Sequence, residues 1–404
     1  MRRAFLVVSG LAAGLSLPVA HGQQSAGNAF NPAISLVLSG QYASYGYDPA
    51  EFALPGFQLG GEAHPKPEGL SADHTELVLS ANIDHRFYGQ VSAALATHDD
   101  ETKVELEEAF VETLGLPAGL GVKFGRFRSG LGYINQQHGH AWDFVDAPLP
   151  VQAFLGGGYY DDGLRLSWLA PTDTMLEISV EALRGRRFPA ADEGGGAPGA
   201  YTASIKVGGD VGASHSWQAG ISGLWASPRQ RGGGHAHGHD DHDHDHAAHF
   251  SGDSDLLVLD LVWKWAPGGN AAGRGLVLQS EYFQRREDGA VEVAHGDHSH
   301  HADYRGTQRG WYGQAVYRFS PRWRAGLRYD RLWSDNRGDP ELLAEAGLAD
   351  GGSLWRASAM LDFATSEFAR LRLQYTRDET QPKADDQWLL QYVMALGAHG
   401  AHGF

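Results

Sequence analysis

The chain has 404 residues, no cysteine and a formal net charge of −17. Without cysteine there is no disulfide framework, thiolate metal site or cysteine nucleophile, and so acidic a balance disfavours nucleic acid while attracting cations. No nucleophile–base pattern, HExxH or glycine-rich phosphate loop points to an enzyme.

Residues 1–22 read as a secretory signal peptide. Arg2 and Arg3 form a basic start, 4–20 is mostly apolar, and Ala20-His21-Gly22 puts small residues at the −3 and −1 positions before Gln23. The mature chain is expected to be 23–404. No later run of 18 apolar residues suggests a spanning helix.

Beyond residue 30 the apolar residues repeat at period two. In 367–377, Ala369, Leu371, Leu373 and Tyr375 alternate with Arg370, Arg372, Gln374 and Thr376; in 322–331, Trp323, Ala325, Leu327 and Tyr329 alternate with Arg322, Arg324 and Arg328. A strand with that pattern has one apolar and one charged face. Sixteen such segments are predicted: 33–45, 74–83, 87–96, 104–113, 121–127, 160–169, 174–184, 200–209, 216–226, 254–265, 274–286, 310–319, 322–332, 352–363, 367–377 and 386–396. Many are about 10–12 residues long, enough for a tilted strand to cross a bilayer. Aromatic residues punctuate their ends (Trp217 and Trp225, Tyr282 and Phe283, Trp311 and Phe319, Trp323 and Trp333, Trp388 and Tyr392) like interfacial girdles. The even count and the alternation of long and short connections predict an all-β fold, a single transmembrane antiparallel β-barrel in the bacterial outer membrane. The long segments 46–73, 128–159, 185–199, 227–253, 287–309 and 333–351 then face outward. Sixteen strands leave a water-filled lumen, and the competing fold is a large periplasmic β domain.

Three outer segments carry metal-ligating side chains. In 128–159, His138 and His140 precede Asp143 and Asp146, a set able to form an ordered site if the segment folds inward as a constriction loop; alternatively Trp142, Phe144 and Pro148 pack it against the wall and the histidines only hydrogen-bond. In 227–253, the histidines at 235, 237, 239, 242, 244, 246 and 249 (His235, His237, His239, His242, His244, His246, His249) interleave with four aspartates. In 287–309, His295, His298, His300 and His301 lie beside Asp297 and Asp303. Neutral imidazole with carboxylate suits zinc or another divalent transition metal. With an ordinary histidine pKa of about 6.5, binding is expected to fade on mild acidification. The bland reading of the 235–249 tract is a solvated, low-complexity loop. Arg318, Arg324, Arg328, Arg356, Arg370 and Arg372 alternate toward the presumed lumen, where they either bind anions or pair with carboxylates such as Asp330 and Asp362.

The stretch Phe124-Gly125-Arg126-Phe127-Arg128-Ser129-Gly130-Leu131-Gly132-Tyr133-Ile134-Asn135, continuing through His138-Gly139-His140-Ala141-Trp142-Asp143-Phe144-Val145-Asp146-Ala147-Pro148 to Ala153-Phe154-Leu155-Gly156-Gly157, resembles a family of zinc-regulated, porin-like outer-membrane proteins, as does the closing octapeptide Gly397–Phe404. That family is often labelled as TonB-dependent receptors and is distantly similar to the phosphate-selective porins. The receptor label implies 22 strands and a plug domain, for which the interval between residue 23 and the first strand leaves no room. The resemblance implies a passive pore taking up divalent metal, zinc first among them, as ligand or substrate, with no required cofactor. Its alternatives are an anion-selective, phosphate-type porin and a non-transporting metal-binding surface protein. Expected partners are outer-membrane lipids, the barrel assembly machinery, which reads a terminal aromatic such as Phe404, and, by analogy with sixteen-stranded porins, two further copies in a homotrimer. His399 and His402 are expected at the periplasmic rim.

Overall fold

The computed structural model describes residues 32–72, 75–98, 101–191, 198–233, 248–270, 272–295 and 298–397. The expected signal peptide (1–22), His235 to His246, Asp297 and the closing 398–404 lie outside these residues.

Sixteen antiparallel strands close on themselves. They are β1 (Ala33–Ser44), β2 (Thr75–Asn82), β3 (Phe87–His98), β4 (Glu101–Thr113), β5 (Leu120–Arg128), β6 (Tyr160–Leu169), β7 (Met175–Leu183), β8 (Ala200–Val211), β9 (His215–Ala226), β10 (Ala248–Trp265), β11 (Gly275–His295), β12 (His298–Ser320), β13 (Trp323–Arg337), β14 (Ser353–Ser366), β15 (Ala369–Asp378) and β16 (Asp385–Gly397). Each pairs with its sequence neighbour. β1 closes the ring, bonding to β2 (Ala33↔Ser80) on one edge and to β16 (Ser35↔Gly397) on the other. Two short segments are appended: Gly69–Ala72 prolongs the β2 line along β1, and Arg231–Gly233 lies along β10. Sixteen strands, not 22, separate this molecule from the receptor label.

The distribution of apolar surface is that of a membrane barrel. Leu327 is 66% exposed while its neighbours Arg328 and Asp330 are 2% and 0% exposed. Burying the charges and exposing the leucines is ruinous in water and favourable when lipid covers the outside. Aromatics gather near both ends of the exposed band. At the short-turn end Trp323 meets Phe363, ring centroids 4.6 Å apart; toward the long-loop end Tyr329 stacks on Trp355 at 6.0 Å and Tyr375 meets Trp388 at 5.0 Å. Phe283 departs from the expected girdle. It is fully buried and faces the lumen, because an apolar plug there needs it.

That plug is built by the long segments. Residues 129–159 turn into the barrel and carry a helix, α1 (Leu149–Leu155), all seven residues of which are buried. With Phe52, Leu54 and Phe57 from the first loop, and Phe283, Leu332 and Leu354 from the wall, they form one apolar cluster. Gly156 ends α1 in the left-handed region (φ 60°), where a Cβ would stand 2.4 Å from the Gly60 carbonyl oxygen. The two loops join there through Glu62 N–H donating to the Gly156 carbonyl at 2.7 Å.

The outer segment 287–309 is not a loop. β11 and β12 continue as a ladder to His295↔His298, and β10 and β13 also outrun their expected ends. Beyond the membrane, Phe250, Val291, Val293 and Tyr304 pack with Leu342 and Leu343 of a second helix, α2 (Pro340–Glu345), and with Leu348. This separate apolar cluster keeps the period-two pattern rewarding past the bilayer, so the strands do not stop at its surface.

Candidate functional site: the lumenal constriction

The inward loop is held by its backbone, which the lumenal wall satisfies group by group. Glu181 of β7 accepts from Ser129 Oγ at 2.5 Å and from Gly130 N at 2.9 Å. Ser222 of β9 accepts from Gly132 N, and Lys206 of β8 donates to the Gly132 carbonyl at 3.0 Å. Glu281 of β11 accepts from Tyr133 N and Ile134 N at 2.6 and 2.7 Å. Asn135 ties the loop's two ends together, donating to the carbonyls of Ser129 and Tyr159. A buried loop without such partners would carry a penalty for each orphaned amide.

The segment 138–146 then runs between two walls of opposite charge. On the basic side, Asp146 accepts from Arg328 Nη2 at 2.9 Å, from Arg356 Nη1 at 3.0 Å and from Gln374 Nε2 at 2.6 Å. Asp143 pairs with Arg324 at 2.8 Å, and Arg370 donates to the His140 carbonyl. Wall carboxylates complete the network: Asp330 takes Arg328, Asp378 takes Arg356, and Asp362 takes Arg324 and Arg372. Four of the six expected pore-lining arginines therefore hold wall carboxylates, and three of them, Arg324, Arg328 and Arg356, brace the loop as well. Arg370 holds the loop backbone, and Arg318 stands on the same wall beside Arg324 and Asp362.

On the acidic side, the His138 ring is enclosed by Glu76 of β2 and by Glu107 and Glu108 of β4. Its Nδ1 lies 3.1 Å from Glu76 Oε1 and 3.0 Å from Glu107 Oε2, and its Nε2 lies 3.0 Å from Glu108 Oε2. His140 stacks on it at 5.7 Å between centroids and places Nδ1 2.9 Å from Glu76 Oε2. Burial and Arg128 push the His138 imidazolium toward losing its proton, but the three carboxylates outweigh them and hold its pKa at about 10.

Strict alternation would send Glu107 and Glu108 to opposite faces. A bulge in β4 prevents this: Ser92 pairs with Glu108 and Ala93 with Leu106, leaving Glu107 as the extra residue, and both carboxylates are buried on the inside. Glu76, Glu107, Glu108, Glu181 and Glu281 are the site residues that reasoning from sequence missed. The bulge has a trace in the chain, since apolar positions step by two from Val104 to Leu106 and then by three to Ala109.

Of the other predicted residues, His138 and His140 come together while Asp143 turns away to Arg324. His249, half-buried on β10, lies opposite Gly232 and Glu292. His298, His300 and His301 are exposed on β12; His301 lies opposite Glu292, and His300 and His301 border a surface groove with Asp339, Glu341 and Glu345. His295 is placed by its backbone opposite His298.

The arginine grip on Asp146 predicts a pH dependence. Burial alone would raise its carboxyl, but Arg328 and Arg356 outweigh that and hold it below its ordinary 3.8. A depressed carboxylate stabilises the folded state above its unfolded pKa and loses that contribution as pH falls through the folded value. Single-channel conductance is therefore expected to be level from neutral pH down to about 4 and to change below that, as the loop leaves the wall; a change already complete at pH 5 would contradict this anchoring.

The closed barrel, the lipid-facing leucines and the inward constriction loop define a porin-like channel of the bacterial outer membrane. No family model matches the chain. A protein of Aquifex aeolicus (strain VF5), described as uncharacterized, is 30% identical over 406 residues, covering 93% of this chain and 80% of its own, and the chain belongs to the same family. Solved structures share the fold at low identity. The loop-deleted outer membrane protein OmpT of Vibrio cholerae is similar with a TM-score of 0.55 at 9% identity over 91% of this chain and 100% of its own. The outer membrane channel DcaP of Acinetobacter baumannii gives 0.55 at 14% over 90% and 97%. An anion-selective porin from Comamonas acidovorans gives 0.51 at 10% over 91% and 99%.

Proposed function

We propose that the protein is a passive channel for divalent transition-metal ions, zinc foremost, whose outer histidine segments gather the ion and whose lumen admits it. The observation that carries this reading is the constriction itself: two histidines face three buried glutamates on one wall, while the arginines opposite are largely neutralised by aspartates. A cation approaching this point meets oxygen and nitrogen ligands, and an anion meets guanidinium groups already engaged. Diffusion down a gradient needs no energy-coupling partner.

An anion-conducting reading draws on the same arginine row and on the likeness to the Comamonas porin. Proteoliposomes holding a zinc-sensitive dye separate the two. Zinc entry well above that of protein-free vesicles, with a cation-selective reversal potential in a salt gradient, is the expected result. An anion-selective potential with no zinc entry would sink the metal reading. In cells, deleting 235–249 is expected to slow zinc accumulation only when external zinc is scarce.

A further inference from the structure

One side chain at the constriction has no satisfactory partner set. Glu76 is wholly buried, and neither of its carboxylate oxygens accepts a hydrogen bond. Its close neighbours are ring nitrogens of His138 and His140, at 3.1 and 2.9 Å but outside hydrogen-bonding geometry. A desolvated carboxylate in that condition is costly unless positive charge sits against it, and either a His138 imidazolium or a bound metal ion can supply that charge. One ligand atom from each of Glu76, Glu107 and His138 can be chosen so that all lie within 4.8 Å of one another. Two ligands about 2.0–2.2 Å from a tetrahedral zinc stand roughly 3.3 Å apart, close to the 3.1 and 3.0 Å that separate His138 Nδ1 from the two glutamates.

We propose that Glu76, Glu107 and His138 form a divalent transition-metal site inside the constriction, and that an ion bound there fastens the inward loop to the acidic wall. The proposal rests on the reading of the channel as a metal route. His138 Nδ1 and one oxygen from each glutamate are the ligands. Glu108 Oε2, 3.0 Å from His138 Nε2, accepts a hydrogen bond from Nε2–H and so leaves the Nδ1 lone pair for the metal, the carboxylate–histidine–metal arrangement common around bound zinc. His140 stands at the edge of the cluster. A cavity of about 90 Å³ reaches the site and is bordered by Glu107 and His140, with Glu62 and His64 of the first loop; it supplies both a path and room for a solvent ligand. Nitrogen and oxygen donors without sulfur suit zinc or a neighbouring divalent ion. An imidazolium in place of the metal accounts for the contacts to Glu107 and Glu108 but leaves both Glu76 oxygens without a hydrogen bond.

The test uses the whole mature chain, refolded in detergent, with the six histidines from 235 to 246 changed to serine so that the outer tract does not contribute. Zinc chloride alone is titrated calorimetrically, and the complex is studied by X-ray absorption. One zinc per chain with nitrogen and oxygen neighbours at about 2.0–2.2 Å is expected. Glu108→Gln is expected to weaken binding about 10–100-fold and Glu76→Gln to abolish the ordered site, with heat-modifiable gel mobility showing that each barrel is folded. Absence of an ordered zinc in the parent chain, which depends on no variant at this site, would overturn the proposal. The flux assay keeps the two readings apart. Zinc bound here without zinc entry leaves the site standing and removes the channel reading, whereas zinc entry without a bound ion removes the site alone.

Discussion

Asp146→Ala is expected to raise single-channel conductance and shift the pore toward anions. The Asp146 carboxylate holds donors from three adjacent strands, Arg328 of β13, Arg356 of β14 and Gln374 of β15. Removing one partner of a buried ion pair costs up to about 3–5 kcal/mol where the charge left behind has no compensation, and less where it has. Arg328 and Arg356 keep Asp330 and Asp378, so the wall survives while the loop's hold on it falls back on Asp143 with Arg324 and on Arg370 with the His140 carbonyl. The loop remains bonded to Glu181 and Glu281 at its base, and only its far part is released. Two guanidinium groups then face the lumen with one fewer negative charge between them. Planar-bilayer recordings in a salt gradient read both effects, and unchanged conductance with unchanged reversal potential would show that the aspartate does not hold the constriction.

Phe154→Ala is expected to loosen the outer plug without opening the barrel. The ring is fully buried, lies parallel to Phe283 at 5.7 Å between centroids and meets Phe57 edge-on at 5.7 Å. Truncating such a residue costs roughly 3–5 kcal/mol, part of it for the cavity left behind. The Arg285 guanidinium lies 5.3 Å from the ring centre, so the emptied space would be partly polar and draw water. Protease cleavage within 45–68 and 129–159 should accelerate at least about tenfold, the equivalent of 1.4 kcal/mol of local opening, while heat-modifiable mobility persists. Equal cleavage rates for variant and parent would mean the aromatic stack contributes little to loop order.

Period two carried most of the fold. Val316, Gln374 or Leu371 can be assigned a face from residue parity alone, the even strand number followed from counting the alternating segments, and the side each loop faces followed from turn lengths. What parity could not carry were the breaks in it. The β4 bulge turned Glu107 inward beside Glu108, which no alternating template allows. The hairpin of β11 and β12 ran past the bilayer because α2 gave Val291 and Val293 a second apolar partner, a contact between segments some fifty residues apart. Phe283 read as a girdle residue because an aromatic at a strand end looks the same whether it meets lipid or an inward loop. Of the site, the histidines were visible by type and spacing. Their glutamate partners belong to distant strands that only barrel closure brings beneath the constriction loop, and the pairing of Asp143 with Arg324 was hidden for the same reason, that arginine being on β13.

The short pairing of Arg231–Gly233 with β10 has a geometric corollary. Gly233 lies directly opposite Ala248, so the chain from 234 to 247 leaves and returns at one point of the ladder. A tethered segment of that length cannot carry any of its atoms more than about 25 Å from its feet. One ion held anywhere within such a hemisphere corresponds to a local concentration of roughly 50 mM. On the proposed reading the histidine tract is a store of ions whose reach is capped by the length of chain between two paired residues.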